Sequence, residues 1–278
     1  MNYLTCGLIN GPIVILNIMA NAFYLFCMVC PLCSSDRIKQ PLKILLGSLV
    51  CCTITYLMSA IVVFFSELQA ENYILLQTSY LVSLSCLSTS MTSSVWLNFF
   101  YYTQIVPARR VLFIWIKKNI NSIIYCIWLL ERIYNLLDFT VMFLELLPFD
   151  SSGFSNNFTT AHFLFCLCVM VMSSGSIVVY LCGVFAANGQ PFPSSQFSGQ
   201  VRVTVTGILQ GVLYTICAVW TLYNFLSQHS PNTSINPYIH FTIINLYMSG
   251  TTFSLGAGRA VFRQRAANIW LRSTKQEG

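Results

Sequence analysis

The segment Leu42–Phe65 reads "LKILLGSLVCCTITYLMSAIVVFF". Its single charge, Lys43, stands in the first turn, and nothing after it is more polar than a hydroxyl. A helix rises about 1.5 Å per residue, so this run matches the roughly 30 Å of hydrocarbon in a bilayer. It is apolar on every side, which suits a helix surrounded by lipid or protein rather than one half in water. In hydrocarbon each backbone N–H and C=O must be satisfied within the segment, so the run is expected to be a membrane helix.

Working outward from it, six more runs of this kind appear: 8–30, 73–102, 120–146, 161–186, 203–226 and 237–257. Together they take up nearly the whole chain. The expected fold is an all-α, seven-transmembrane helix bundle forming a single domain over 1–278, the architecture of a G-protein-coupled receptor. The composition agrees, being 56% hydrophobic and 8% charged, where soluble domains carry about 25% charge.

Basic residues give the orientation. Arg37, Lys39 and Lys43, then Arg109, Arg110, Lys117 and Lys118, then Arg202, and finally Arg259, Arg263, Arg265, Arg272 and Lys275 all fall between alternate spans or in the tail. Of the 14 Lys and Arg residues only Arg132 lies elsewhere. The N-terminus is therefore expected outside and the C-terminus in the cytoplasm, in a multi-pass protein of the plasma membrane. The net charge of +6 reads as a collar facing anionic lipid, and nucleic acid is not an expected partner. Span one is expected to serve as its own insertion signal. The tail 259–272, "RAVFRQRAANIWLR", mixes basic and apolar residues and reads as an amphipathic helix lying on the membrane.

Two sequons, at Asn157 and Asn232, fall in expected outer loops and are candidate glycosylation sites. Most of the 12 cysteines lie within spans as small apolar residues. The loop 147–160 offers no cysteine to meet Cys86, so the disulfide common to rhodopsin-like receptors is not expected. His162, His229 and His240 show no His-x-x-x-His spacing, and no Gly-x-Ser-x-Gly occurs. No catalytic residue, metal or cofactor is therefore expected. A transporter would show a repeat with Gly- or Pro-broken helices in matching positions, and none is evident. "ERI" at 131–133 and "NPY" at 236–238 imitate receptor signalling motifs at the wrong depth.

The stretch "FYYTQIVPARRVLFIWIKK", Phe100–Lys118, is similar to the cytoplasmic end of span three in the bitter taste receptors, taste receptor type 2. Phe100-Tyr101, Ile105-Val106, Phe113, Trp115 and Lys117 keep that family's spacing. Asn21-Ala22-Phe23, Gln200-Val201-Arg202, Leu213-Tyr214 and "YMSGTTFSLGAGRAVFRQ" (Tyr247–Gln264) resemble further family motifs. The chain departs from the family at Ser48-Leu49, Gln104, Thr204-Val205 and Thr251-Thr252, so it reads as a divergent, fish-like member. The related type 1 vomeronasal (pheromone) receptors are the alternative, and a membrane transporter is a third reading.

The resemblance implies a receptor for small tastants coupled to a heterotrimeric G protein of the gustducin-like or inhibitory class. It assigns the ligand-facing positions of span three to Thr92 and Trp96. Polar and aromatic residues at comparable depth add Asp138, Phe165, His240, Phe241 and Asn245. Gln104, Arg109, Arg110, Phe113, Lys117 and Arg202 are the expected G-protein contacts, and Tyr101 and Tyr214, with Trp96, the expected relay between the two ends.

Within the fourth span, "LLERIYNLLD" (129–138) places Glu131, Asn135 and Asp138 on one stripe. Two readings stand: a structural lock in which Arg132 supplies the cation that span two lacks, or a carboxylate offered to the ligand.

Overall fold

The computed structural model describes residues 3–30, 40–69, 73–107, 111–145, 155–188, 195–228, 237–258 and 262–267. These residues form seven long helices: α1 (Tyr3–Val29), α2 (Gln40–Gln69), α3 (Tyr73–Ile105), α4 (Val111–Glu145), α5 (Ser155–Asn188), α6 (Ser195–Gln228) and α7 (Pro237–Gly258). A short helix, 262–267, follows. Proline marks several boundaries. Pro41 and Pro237 sit in first turns, where no N–H is needed, and Pro107 follows the end of α3.

The helices outrun the apolar segments. α4 begins nine residues ahead of its apolar run, so "VLFIWIKKN" forms its first turns rather than a loop. The reason is local: nothing in that stretch breaks a helix, and the i→i−4 ladder continues once nucleated. Likewise α5 starts at Ser155, which puts Asn157 in a first helical turn instead of a loop. The only helical residues described within the expected 259–272 tail are 262–267.

Four helices are long and apolar enough to cross a membrane, over Thr5–Val29, Leu42–Ser66, Ile74–Ile105 and Thr204–Asn224, with mean hydropathies of 2.0, 2.2, 1.2 and 1.6. The described part of α5 adds the shorter apolar stretch Leu164–Tyr180. α4 falls short because it carries Lys117, Lys118, Glu131, Arg132 and Asp138, and α7 because Ser, Thr, Asn and Gly interrupt it. The described residues thus form an all-helical bundle of membrane type.

Interhelical hydrogen bonds fix the directions. On α1, Asn10 bonds Thr242 and accepts from Asn245 of α7 (3.0 and 3.1 Å), Asn17 bonds Ser249 (3.0 Å) and Asn21 bonds Thr252 (2.9 Å). Partner numbers rise together, so α1 and α7 run parallel. Ser59–Ser83 and Ser48–Ser93 pair with opposed numbering, so α2 and α3 are antiparallel. The same holds for α3–α4 through Ser88–Asn135 and Trp96–Glu131. α3 is the central helix, touching α2, α4, α5 and α6.

Close approach at the centre comes from small residues. Thr89, Ser90, Thr92, Ser93 and Ser94 of α3 are all buried, and small side chains let membrane helices approach closely. Their neighbourhood separates two apolar clusters. One contains Tyr56, Leu87, Met91, Met170, Tyr214 and Tyr247, and the other Tyr24, Leu46, Leu49, Phe100, Ile124 and Phe262.

The described basic side chains apart from Arg132 fall where α2, α4 and α6 begin or just after α7. Alternation therefore gathers them at one end, opposite the start of α1. There the short helix 262–267 is pinned, because Arg265 Nη1 donates to the carbonyls of Cys27 and Cys30 (2.8 Å to the second) at the end of α1. Last-turn carbonyls lack intrahelical partners, and a guanidinium suits them in charge and hydrogen bonding. Arg265→Ala should cost about 1 kcal/mol for this half-exposed site. Its clearest sign would be faster thiol labelling of Cys27, which is only 3% exposed; an unchanged rate would show that the pin does not hold the short helix down.

Candidate functional site

At the end where α1 starts, a cavity of about 230 Å³ opens between α1, α2, α3, α6 and α7. Helical periodicity builds two walls. Tyr56, Ala60, Val63 and Phe64 share one face of α2, and Tyr80, Ser83, Leu84 and Leu87 share one face of α3. Cys6, Asn224, Tyr238, His240, Phe241 and Ile244 complete the lining. The floor is continuous with the first apolar cluster through Tyr56, Leu87 and Ile244, each at most 3% exposed. The Ser59–Ser83 bond (2.8 Å) ties the two walls together. The volume lies just below the 300–1,000 Å³ of drug-sized sites, so the space suits a small molecule.

The one imidazole in this lining is held by α6. Trp220 Nε1 donates to His240 Nδ1 at 3.1 Å, and the Asn224 amide lies 3.3 Å from the same nitrogen. Trp220 in turn packs against Tyr223 with ring centroids 5.8 Å apart.

Of the expected ligand residues, His240 and Phe241 line this cavity. Four others are placed elsewhere. Thr92 and Trp96 face α4: the indole N–H donates to Glu131 Oε1 at 2.5 Å, and the Thr92 hydroxyl lies within hydrogen-bonding reach of the same carboxyl. Asn245 is buried in the α1–α7 seam against Asn10. Phe165 is 57% exposed on the outside of α5. The α3 residues that line the cavity, Tyr80, Ser83, Leu84 and Leu87, lie nearer the start of that helix than Thr92 and Trp96. Asp138 belongs to α4, but its side chain lies outside the described residues.

The charged stretch of α4 pairs within the bundle. Asn135 accepts from Ser88 at 3.3 Å, Glu131 accepts from Trp96, and Arg132 turns the other way to Ser48 of α2 and lies over Trp128, 5.4 Å from the ring. The guanidinium thus meets the α2 serine beside the position where the bitter-receptor pattern carries an arginine.

At the basic end, Gln104, Lys117 and Arg202 are exposed, whereas Phe113 packs edge-on against Tyr102 of α3 with centroids 5.2 Å apart. Arg109, Arg110 and Asn232 lie outside the described residues, as does the side chain of Asn157. Tyr101 and Trp96 pack against the second apolar cluster, while Tyr214 is buried in the first. The three expected relay residues therefore do not share one cluster.

The lining that sequence reasoning missed, Tyr56, Phe64, Tyr80 and Tyr238, left a readable trace. Tyr56–Phe64 and Tyr80–Leu87 each repeat at helical spacing. Nothing in the sequence says that these two faces meet. Set against models of known protein families and against curated proteins, the chain matches none.

Proposed function

We propose that the chain is a seven-span chemosensory receptor of the plasma membrane, N-terminus outside and C-terminus in the cytoplasm. In this reading a small, bitter-type molecule enters the cavity among α1, α2, α3, α6 and α7, and a heterotrimeric G protein meets the basic end. No catalytic step is involved.

The observation that carries this reading is the bundle's asymmetry. An aromatic cavity opens at the end away from the cations, while between the helices towards the basic end Leu97, Tyr101, Gln210 and Leu255 leave a space of only about 10 Å³, and a more open groove of about 520 Å³ runs along α1, α7 and the short helix. Narrow packing between the described helices at that end favours a protein that passes on a conformational signal rather than a solute. The ligand would act by population shift, binding one packing of the helices more tightly than the other.

The test is a calcium readout in cells carrying a chimeric G protein and exposed to a panel of bitter compounds. We expect dose-dependent responses that Ala60→Trp abolishes by filling the cavity, at unchanged surface expression. Responses confined to pheromone-like steroids or amines would move the assignment to the vomeronasal type. Solute flux into vesicles, without nucleotide exchange on an added G protein, would overturn it in favour of a transporter.

A further inference from the structure

We infer that the cavity selects small, uncharged, ring-bearing molecules that carry a hydrogen-bond acceptor, such as a ketone, lactone or ether oxygen, and rejects the amine and carboxylate analogues of the same skeleton. This rests on the reading of that cavity as a ligand site and specifies its chemistry.

The lining supplies the first reason. Among the described residues that form it none is charged. The charged side chains of α4 described within the bundle are engaged elsewhere, Glu131 with Trp96 and Arg132 with Ser48, while the side chain of Glu67, one turn beyond Val63 and Phe64 on α2, lies outside the described residues. An ammonium or carboxylate entering this space would give up its water without meeting a counter-ion among the described lining residues, which is heavily unfavourable. The same molecule in neutral form gives up far less.

His240 supplies the second. An indole N–H can only donate, so the 3.1 Å contact from Trp220 requires Nδ1 of His240 to be an acceptor. The Asn224 amide lies against the same nitrogen. The imidazole proton is therefore on Nε2, and the doubly protonated ring is disfavoured because its Nδ1–H would meet the indole N–H head on. His240 thus brings to the cavity lining an imidazole with a single N–H, at Nε2, its tautomer set by a neighbouring helix, and no positive charge. A donor held in place by a second residue loses little entropy when an acceptor arrives.

Ring character supplies the third. Tyr56, Phe64, Tyr80, Tyr238 and Phe241 line the cavity along with the imidazole, and such walls favour flat ring systems by offset or edge contacts. With about 230 Å³ to fill, a bicyclic skeleton is a suitable size.

The experiment uses the full chain, purified and reconstituted in lipid nanodiscs, and four matched probes: 1-tetralone, 1-aminotetralin, tetralin-1-carboxylate and tetralin. We expect the ketone to bind at least tenfold more tightly than the amine or the carboxylate, and about five- to tenfold more tightly than tetralin, which lacks an acceptor. His240→Phe should bring the ketone down to the level of tetralin, while His240→Gln, which keeps an N–H donor, should retain most of the difference. Folding of each variant is followed by thermal denaturation. A ketone no tighter than the other three probes, including no binding by any of them, overturns the inference. So does a ketone preference that survives His240→Phe. No G protein is present, so selective binding with a silent cellular response would sink the receptor assignment and leave this one standing.

Discussion

Gly256→Ala is expected to destabilise the bundle by about 3 kcal/mol, at the upper end of overpacking costs. A Cβ at this position would stand 2.2 Å from the Tyr24 hydroxyl oxygen and 3.2 Å from its Cζ. The ring cannot simply swing aside. Tyr24 is 9% exposed, and its ring stacks on Phe262 with centroids 4.7 Å apart. Relief would have to come from the ring giving up that contact for the open groove it lines with Gly256, or from α1 or α7 moving, which the asparagine seam between them opposes. The thermal midpoint should fall by roughly 6–10 °C. The buried thiols of Cys6, Cys27, Cys166 and Cys217 give a convenient measurement through a dye that fluoresces on reaction. Adding Tyr24→Phe removes the nearest atom and should recover at least half of the loss. A double variant as unstable as Gly256→Ala alone would show that the hydroxyl is not what the glycine accommodates.

Glu131→Leu should cost about 2 kcal/mol, the penalty of leaving a donor in an apolar setting without an acceptor. Its carboxyl oxygen is the partner of the Trp96 indole N–H at 2.5 Å, and the residue is only 9% exposed. Glu131→Gln keeps an oxygen in place and should be close to neutral. Trp96→Phe on the leucine background removes the stranded N–H and should restore part of the stability, a coupling of about 1–2 kcal/mol in a double-mutant cycle. Glutamine as costly as leucine, or additive single effects, would show that the α3–α4 contact owes its strength to packing alone.

That contact also shows how far the sequence could be read. The stripe of Glu131 and Asn135 was visible from its spacing, and in the fold both residues pair with α3. Arg132, one position away, was read as the cation that span two lacks, without a named partner on another helix. Its route to Ser48 depended on α2 lying within reach. The α1–α7 seam was legible but missed: Asn10, Asn17 and Asn21 recur at the spacing of one helix face. Of the three only Asn21 was singled out, as part of the motif Asn21-Ala22-Phe23. Trp96 was assigned to the ligand by family resemblance and Asn245 by its polarity and depth. Their hydrogen bonds instead join α3 to α4 and α7 to α1.

By itself the sequence determined that the chain is helical, roughly where the helices lie and how their basic ends alternate. These follow from run length, backbone hydrogen-bonding demand and charge placement, all of which act locally. Which face of each helix turns inward was decided only by the tertiary structure. In a soluble bundle the inward face is betrayed by its hydrophobicity, but lipid is as apolar as a leucine core. Leu45 and Leu46 are buried while Leu130 and Leu136 are more than half exposed, and nothing in their chemistry separates them. The cavity is set where the faces of five such helices come together, so its position could not be read from any one of them.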